Sequence, residues 1–305
     1  MKVLFVRSGN KGNDPITYNQ GLSLLAFGLE VEFVDIIGKG IYGYLKNIKK
    51  VRIYINEFKP DIIHAHYSLS GFVVSLAFPN RPVVVSLMGS DVNSIGIINL
   101  FFLKFFATFF WDRIIVKSEQ MKKKIGFKGS YIIPNGVNFD KFKLIDKNKA
   151  RDYLKWEKSK KHIIFASDPN RFEKNFNLAL SAIKLLENPN IEIHFLKGIK
   201  FEEMNYYYNA ADLLLLTSLY EGSPNVVKEA MACNCPIVST DVGDVKQIIS
   251  NTKGCFVVDF EINNVANAIE KALNFGSRTD GRSAIINLKS EVIAEKIVKV
   301  YESTI

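Results

Sequence analysis

Short runs rich in apolar residues recur along this chain, and each is too short to be a helix. Residues 3–6 (Val-Leu-Phe-Val), 61–66 (Asp-Ile-Ile-His-Ala-His), 83–87 (Val-Val-Val-Ser-Leu) and 213–216 (Leu-Leu-Leu-Leu) are of this kind. Such a run suits a strand buried on both faces. Between the runs lie stretches of helical length, and strand–helix alternation argues for parallel, doubly wound sheets. In the first half, strands are expected at 3–6, 32–36, 61–66, 83–87, 113–117 and 131–134, with helices over 16–28, 42–58 and 71–77. Residues 139–161 are dense in charge and poor in apolar pattern, and read as a linker. The alternation then restarts, with strands at 162–166, 191–196, 213–216, 236–239 and 254–258. Helices fall over 177–186, from about 201, over 245–249 and over 262–275. The expectation is an α/β protein of two Rossmann-like lobes, residues 1–150 and 151–290, with a cleft between them.

Composition narrows the function classes. The 305 residues are 48% hydrophobic, enough for two ordinary cores, and 23% charged, which argues against extensive disorder. The net charge of +9 suits an acidic ligand, a nucleic acid or an anionic membrane face, and equally a plain solubility role. No DNA- or RNA-binding motif appears, so no nucleic-acid partner is expected. Three Cys are not a disulfide framework and point to a reducing cytoplasm. Cys233-Asn234-Cys235 lacks zinc-knuckle spacing, and no metal site is expected. The N-terminus runs straight into a strand, without the pattern of a signal peptide.

Residues 94–116 are the most apolar window and leave three readings open. One is a membrane span, against which Lys104, Asp112 and Arg113 count. The others are a buried helix followed by a strand, and an aromatic, basic-flanked face resting on a membrane surface.

The chemistry gathers where the run 213–216 leads into Ser218-Leu219-Tyr220-Glu221-Gly222-Ser223-Pro224-Asn225-Val226-Val227-Lys228-Glu229. Ser223 fits an N-cap and Pro224 the first helical position. The N–H groups around Gly222, Ser223, Asn225 and Val226 then converge at a helix start, an anion site framed by Glu221 and Glu229. A departing phosphate also wants cations, and Arg171 and Lys174 stand in the loop after the strand at 162–166. Near the N-terminus, Gly9, Gly12 and Asn13 lie in a loop that lets a ligand approach the backbone, though without the G-x-G-x-x-G spacing. His64 and His66 share one side of their strand.

Residues 221–232, Glu-Gly-Ser-Pro-Asn-Val-Val-Lys-Glu-Ala-Met-Ala, resemble the E-x7-E motif of family-four retaining glycosyltransferases of the GT-B fold. Residues 235–244 are similar to that family's G-x-P-V-V-x-T-x-x-G-G segment. The D-x-x-H-x-H strand at 61–66, the I-P-N-G-V segment at 133–137 with Phe142, and the strand at 210–216 agree with it. The resemblance implies a GT-B protein whose sheets face a central cleft, with residues 291–305 returning to the first lobe. It also implies a metal-independent transferase without a cofactor, using a nucleotide-diphosphate sugar and a saccharide or lipid-linked acceptor at the inner face of the plasma membrane. Glu229 would bind the donor ribose and Glu221 the transferred sugar, while residues 222–226 with Lys174 and Arg171 would hold the diphosphate. His66, Gly89, Asp91, Gly12 and Asn13 would lie on the acceptor side. Two departures stand out. Arg171 is displaced from the family's usual Arg position, and Met88 occupies the place of a family His. A thioether can neither shuttle a proton nor donate a hydrogen bond. Two rival readings remain, another GT-B nucleotide-sugar enzyme such as a 2-epimerase, and a two-lobed binding protein without turnover.

Overall fold

The computed structural model describes residues 1–10 and 15–305, which divide into two compact units, 1–136 with 290–305, and 137–289. The first unit runs β1 (Lys2–Ser8), α1 (Pro15–Leu25), β2 (Glu30–Ile36), α2 (Gly40–Leu45), α3 (Ile48–Phe58), β3 (Ile62–His66), α4 (Ser68–Leu76), β4 (Val83–Ser86), α5 (Ser90–Asn93), α6 (Ile97–Phe109), β5 (Arg113–Val116), α7 (Glu119–Ile125) and β6 (Tyr131–Ile132). Its strands form a parallel sheet in the order β2-β1-β3-β4-β5-β6. The second unit runs α8 (Lys147–Leu154), β7 (Lys161–Phe165), α9 (Phe176–Leu185), β8 (Ile191–Phe195), α10 (Met204–Ala210), β9 (Leu213–Leu216), α11 (Asn225–Ala232), β10 (Ile237–Thr240), α12 (Val245–Ile249), β11 (Cys255–Val258), α13 (Ile262–Phe275) and α14 (Gly281–Ala284). Its parallel sheet has the order β11-β10-β9-β7-β8. The central strands β3, β4, β9 and β10 are buried along their whole length, as the apolar runs require.

Each sheet has a point where successive connections turn opposite ways, and ligands of open α/β sheets bind outside the strand carboxyl ends there. In the first unit it lies between β1 and β3, so Ser8 and His66 end the two strands beside it. In the second it lies between β7 and β9, where the 166–175 and 217–224 loops begin.

The expected linker is instead part of the second unit. Asp146 caps α8 by accepting the Lys149 N–H at 2.9 Å, and the buried Arg151 guanidinium pairs with Asp212 at 2.6 Å. Earlier still, Arg282 donates to the carbonyls of Phe139 and Phe142. The boundary therefore falls after residue 136, not after 150. The long-range partners that anchor these charges are invisible to local pattern. The single helix expected over 42–58 is two, because the buried Asn47 amide donates to the Ile37 and Gly43 carbonyls between them.

Residues 94–116 form α6 and β5, but α6 is not the buried helix that one reading expects. Only Leu103 and Ala107 are buried, while Ile97, Ile98, Phe101, Phe102, Phe105 and Phe109 are exposed. Among the described residues no helix is long and apolar enough to cross a membrane.

The last helix, α15 (Ser290–Glu302), belongs to the first unit and packs against α1. The Tyr301 hydroxyl lies 2.6 Å from His64 Nδ1, and His64 Nε2 lies 2.8 Å from Ser86 Oγ. Burial, then the charge of Lys117, hold the His64 pKa well below its usual value. The neutral ring thus joins β3, β4 and α15 with both nitrogens engaged. Tyr301→Phe leaves one buried ring nitrogen unpaired and is expected to cost about 1–3 kcal/mol. A lower urea midpoint is the measurement that checks it.

Candidate functional site

In the second unit, β9 delivers the chain into the 217–224 loop, and three contacts tie that loop to the one after β7. Thr217 Oγ1 donates to the Lys174 and Asn175 carbonyls, and the Leu219 N–H to the Glu173 carbonyl. This brings Lys174 Nζ to 2.5 Å from Glu221 Oε1, which also accepts from Ser218 Oγ at 2.8 Å. Arg171 pairs with Glu173 and keeps a half-exposed side chain. The two expected cations therefore separate, with Lys174 on Glu221 and Arg171 on its own loop.

The start of α11 differs from expectation by one residue. Pro224 is the N-cap, Asn225 opens the helix, and no side chain caps it. Ser223 is drawn elsewhere: its hydroxyl donates to Asp244 Oδ2 at 2.6 Å and accepts from Lys228 Nζ at 2.9 Å. The Lys228 ammonium engages the hydroxyl's acceptor role, which a capped amide N–H would otherwise use, and Asp244 takes the hydroxyl proton, because charge-assisted bonds are about twice as strong. The N–H groups of the first turn of α11, from Asn225 and Val226 on, remain oriented to the loop side, as at any helix start. Gly222 is held close under Gly243, whose φ of +61° suits glycine, and a Cβ there would sit 2.6 Å from the Gly222 carbonyl oxygen.

Glu229 is buried on α11, and Tyr208 donates to its Oε2 at 2.7 Å. Burial raises its pKa to about 7, against the opposing effects of the Tyr208 hydrogen bond and the Lys228 charge. Lys228 is fully buried, and burial lowers its pKa to about 8, opposed by Asp244 and Glu229. Burial also raises the Asp244 pKa. Lys228, Asp244 and Tyr208 were not among the residues expected from sequence. A Lys on the apolar side of α11, between Val227 and Ala230, is the one signal that could have found them.

In the first unit, Arg7, Ser8, His66, Tyr67, Met88 and Ser90 are among the residues around a cavity of about 570 Å³ at the β1/β3 switch point. His66 is buried, and neither ring nitrogen has a hydrogen-bond partner. Burial, then the neighbouring His64, Lys117 and Arg7, hold its pKa well below the usual value. Met88 stands in this wall where the family has His. Gly89 and Asp91 are not part of the wall. Asp91 Oδ1 accepts the N–H groups of Met88 and Gly89 at 2.8 and 2.9 Å, and Oδ2 that of Ser68 at 3.0 Å. The carboxylate is buried, with a pKa raised by burial to about 6. Asp91 thus fixes the two loops around the cavity instead of meeting an acceptor, and Gly89 supplies the φ of +123° that the turn needs. Gly12 and Asn13 lie outside the described residues.

One group of metal-type ligands occurs among the described residues, His162, Glu192 and His194 on β7 and β8, with ligand atoms within 4.8 Å of one another. His162 Nδ1 lies 2.9 Å from His194 Nε2, and His162 Nε2 lies 2.7 Å from the Glu157 carbonyl. His194 stacks on Trp156 at 3.6 Å between centroids, and burial lowers its pKa to about 4. These contacts are those of a hydrogen-bonded, neutral imidazole pair.

Comparison with known proteins agrees with this layout. Residues 18–141 match the model of Glycosyltransferase Family 4, and residues 157–274 that of Glycosyl transferases group 1. The chain is 24% identical to the capsular polysaccharide biosynthesis glycosyltransferase CapM of Staphylococcus aureus, over 99% of this chain and 92% of CapM. It is 26% identical to the putative teichuronic acid biosynthesis glycosyltransferase TuaC of Bacillus subtilis over 74% of this chain, a match that spans only 64% of TuaC. The structure of Anabaena HepE, solved with UDP and glucose, superposes with a TM-score of 0.76 at 17% identity, covering 99% of this chain and 100% of HepE. Its two parallel-sheet α/β lobes have the GT-B architecture, and with both lobes matched the chain belongs to the family-four, group 1 glycosyltransferases.

Proposed function

We propose that this protein transfers a sugar, with retention and without a metal, from a nucleotide-diphosphate sugar to a saccharide or lipid-linked acceptor in cell-surface polysaccharide synthesis. The observation that carries this reading is the Lys174–Glu221 pair, 2.5 Å apart, at the β7/β9 switch point and beside the start of α11. Lys174 offers a cation to a departing diphosphate and Glu221 an acceptor to sugar hydroxyls, while the start of α11 adds backbone N–H groups. The buried Glu229 carboxylate suits a ribose diol, which donates two hydrogen bonds. CapM and TuaC, named for capsular and teichuronic acid synthesis, support the polysaccharide setting, and the UDP in HepE supports a nucleotide donor. No enzymic nucleophile is needed if the acceptor hydroxyl attacks on the face that the diphosphate leaves and gives its proton to the leaving phosphate. Catalysis is then positioning and electrostatic stabilisation. The exposed Phe101, Phe105 and Phe109 of α6, with Lys104 among them, rest on an anionic membrane surface from the cytoplasmic side.

A thermal-shift and hydrolysis screen across nucleotide sugars, with and without chelator, tests the donor reading. At least one nucleotide sugar should stabilise the protein equally in both conditions, and no shift with any of them would overturn it. Lys174→Met should lower turnover by about a hundredfold or more, with a smaller loss in Arg171→Ala, as measured by donor hydrolysis.

Glu229 gives the binding a pH signature. The folded protein holds a proton on Glu229 that the unfolded chain releases from the ordinary carboxylate range up to about 7. Stability from this group is complete at low pH and lost as pH rises through about 7, while the ionised form accepts the ribose hydroxyls. Affinity for the stabilising nucleotide sugar should therefore rise as pH passes about 7. In Glu229→Gln the rise should vanish and affinity fall about tenfold, as titration calorimetry would show.

Phe101→Ser with Phe105→Ser should abolish most co-sedimentation with phosphatidylglycerol vesicles and leave the nucleotide-sugar thermal shift intact.

A further inference from the structure

Away from the loops that carry Lys174 and Glu221, the second unit gathers three metal-type ligands on one face of its sheet. His162 is the second residue of β7, and the Lys174 loop leaves β7 after its last, so the two places lie toward opposite ends of one strand. In the parallel register His162 stands opposite Glu192, and Ile164 opposite His194. Residues two apart on a strand share a face, so His162, Glu192 and His194 point to the same side. β8 is the last strand of the sheet and is bonded only to β7. One imidazole therefore comes from an enclosed strand, and the other two groups from the sheet edge.

The orientation of the rings fits ligation. A carbonyl can only accept, so His162 Nε2, 2.7 Å from the Glu157 carbonyl, carries the proton and Nδ1 offers a lone pair. An outer hydrogen bond to a backbone carbonyl is the usual support of a metal-bound histidine. His194 Nε2 lies 2.9 Å from that lone pair and donates to it, and 4.0 Å from Glu192 Oε1. Two nitrogens on one tetrahedral zinc ion are about 3.3 Å apart, given Zn–N distances of about 2.0–2.1 Å. The rings would have to part by only about 0.4 Å. Glu192 is half-exposed and can turn inward, while Lys160, 3.6 Å from its Oε2, keeps Glu157 as a second partner at 3.3 Å. Burial lowers the pKa of both histidines, to about 4 for His194, so neither ring has to lose a charge at neutral pH. Trp156 lies flat against both rings, at 4.7 and 3.6 Å between centroids, and walls the site on one side. The hydrogen bond between the rings leaves the third group unexplained, because 4.0 Å is too long for Glu192 to take part in it.

We propose that His162 Nδ1, His194 Nε2 and Glu192 hold a divalent transition-metal ion of the zinc type. Two imidazoles and one carboxylate suit such an ion, whereas Mg²⁺ and Ca²⁺ take oxygen ligands. A water molecule completes the tetrahedron on the side where Glu192 meets solvent. The ion takes the place of the proton on His194 Nε2, which moves to Nδ1 of the same ring. The ion clips the edge strand β8 to β7 and stands apart from sugar transfer, so a metal-independent reaction and this site are compatible.

The test uses the full chain, stripped with chelator and desalted. Zn²⁺ is titrated by calorimetry, with Mg²⁺ alongside. Co²⁺, whose unpaired electrons quench a nearby indole, is followed by tryptophan fluorescence. One saturable Zn²⁺ site is expected and none for Mg²⁺, and Zn²⁺ at about a hundred times its Kd should raise the thermal midpoint by about 5 °C. Co²⁺ should quench the native chain but not Trp156→Phe, because the remaining Trp111 belongs to the other unit. Glu192→Gln, at a half-exposed side chain, should weaken Zn²⁺ by about tenfold or more, and His194→Gln should abolish saturable binding. If His194→Gln does not fold, Glu192→Gln and Trp156→Phe decide the matter. Absence of saturable Zn²⁺ binding overturns the proposal, and so does Mg²⁺ binding as tightly as Zn²⁺. Zn²⁺ binding that these substitutions leave unchanged, or quenching that persists in Trp156→Phe, also overturns it and assigns the ion to cysteines or surface groups elsewhere. The titrations need no nucleotide sugar, so their result stands whether or not the transferase reading does.

Discussion

Chemistry in each unit depends on one constraint, a parallel sheet buried on both faces. β9, enclosed by β7 and β10, carries only leucine along its length. The polar groups open to a ligand therefore collect near the carboxyl ends, and the reversal of strand order opens the space where they collect. The β7/β9 reversal puts Lys174 and Glu221 on facing loops, and the β1/β3 reversal puts Ser8 and His66 at one cavity. Neither pair is near in sequence. The sheet order alone brings them together, and the hydrogen bonds from Thr217 and Leu219 set the spacing.

The features legible in sequence are those whose cause is local. A buried parallel strand is mostly apolar along its length, so most strands could be placed from composition. Glu221 and Glu229 could be singled out because a turn and one helix fix their relation. What escaped depended on partners far away in the chain. Residues 147–154 look like linker because the Asp212 that pairs with Arg151 arrives on another element. Ser223 looks like a helix cap because Asp244, which takes its hydroxyl, belongs to the loop after β10. The exposure of α6 was illegible for a different reason. Apolar periodicity reports that a face avoids water, and a membrane, a ligand or a core all satisfy it.

Asp91 shows how a family motif can carry a structural residue. Glycine and aspartate remain at positions 89 and 91 although the motif's histidine has become Met88. The Asp91 carboxylate holds the amides of Ser68, Met88 and Gly89 and so shapes the cavity wall whatever side chain stands at 88. The wall and the residue displayed on it are separable. Loss of the histidine removes a polar group from the cavity without removing the cavity. The unpartnered nitrogens of His66 are then part of the hydrogen-bonding capacity that this wall still holds.

The Lys174–Glu221 pair has its own logic on the proposed reading. Both side chains are largely buried, 12% and 16% exposed, so neither can lose its partner cheaply. A phosphate alone would draw Lys174 away and leave Glu221 without its countercharge. A neutral sugar alone could engage Glu221 but would give Lys174 nothing in exchange. A sugar diphosphate offers an anion to the lysine and hydroxyl donors to the glutamate together, so both groups stay paired through the exchange. The pair thus opposes each half of the donor and favours the whole, which is specificity obtained from an unpaired-charge penalty. When the diphosphate departs, the negative charge it gains falls next to Lys174, where the attraction is strongest at the moment the bond breaks.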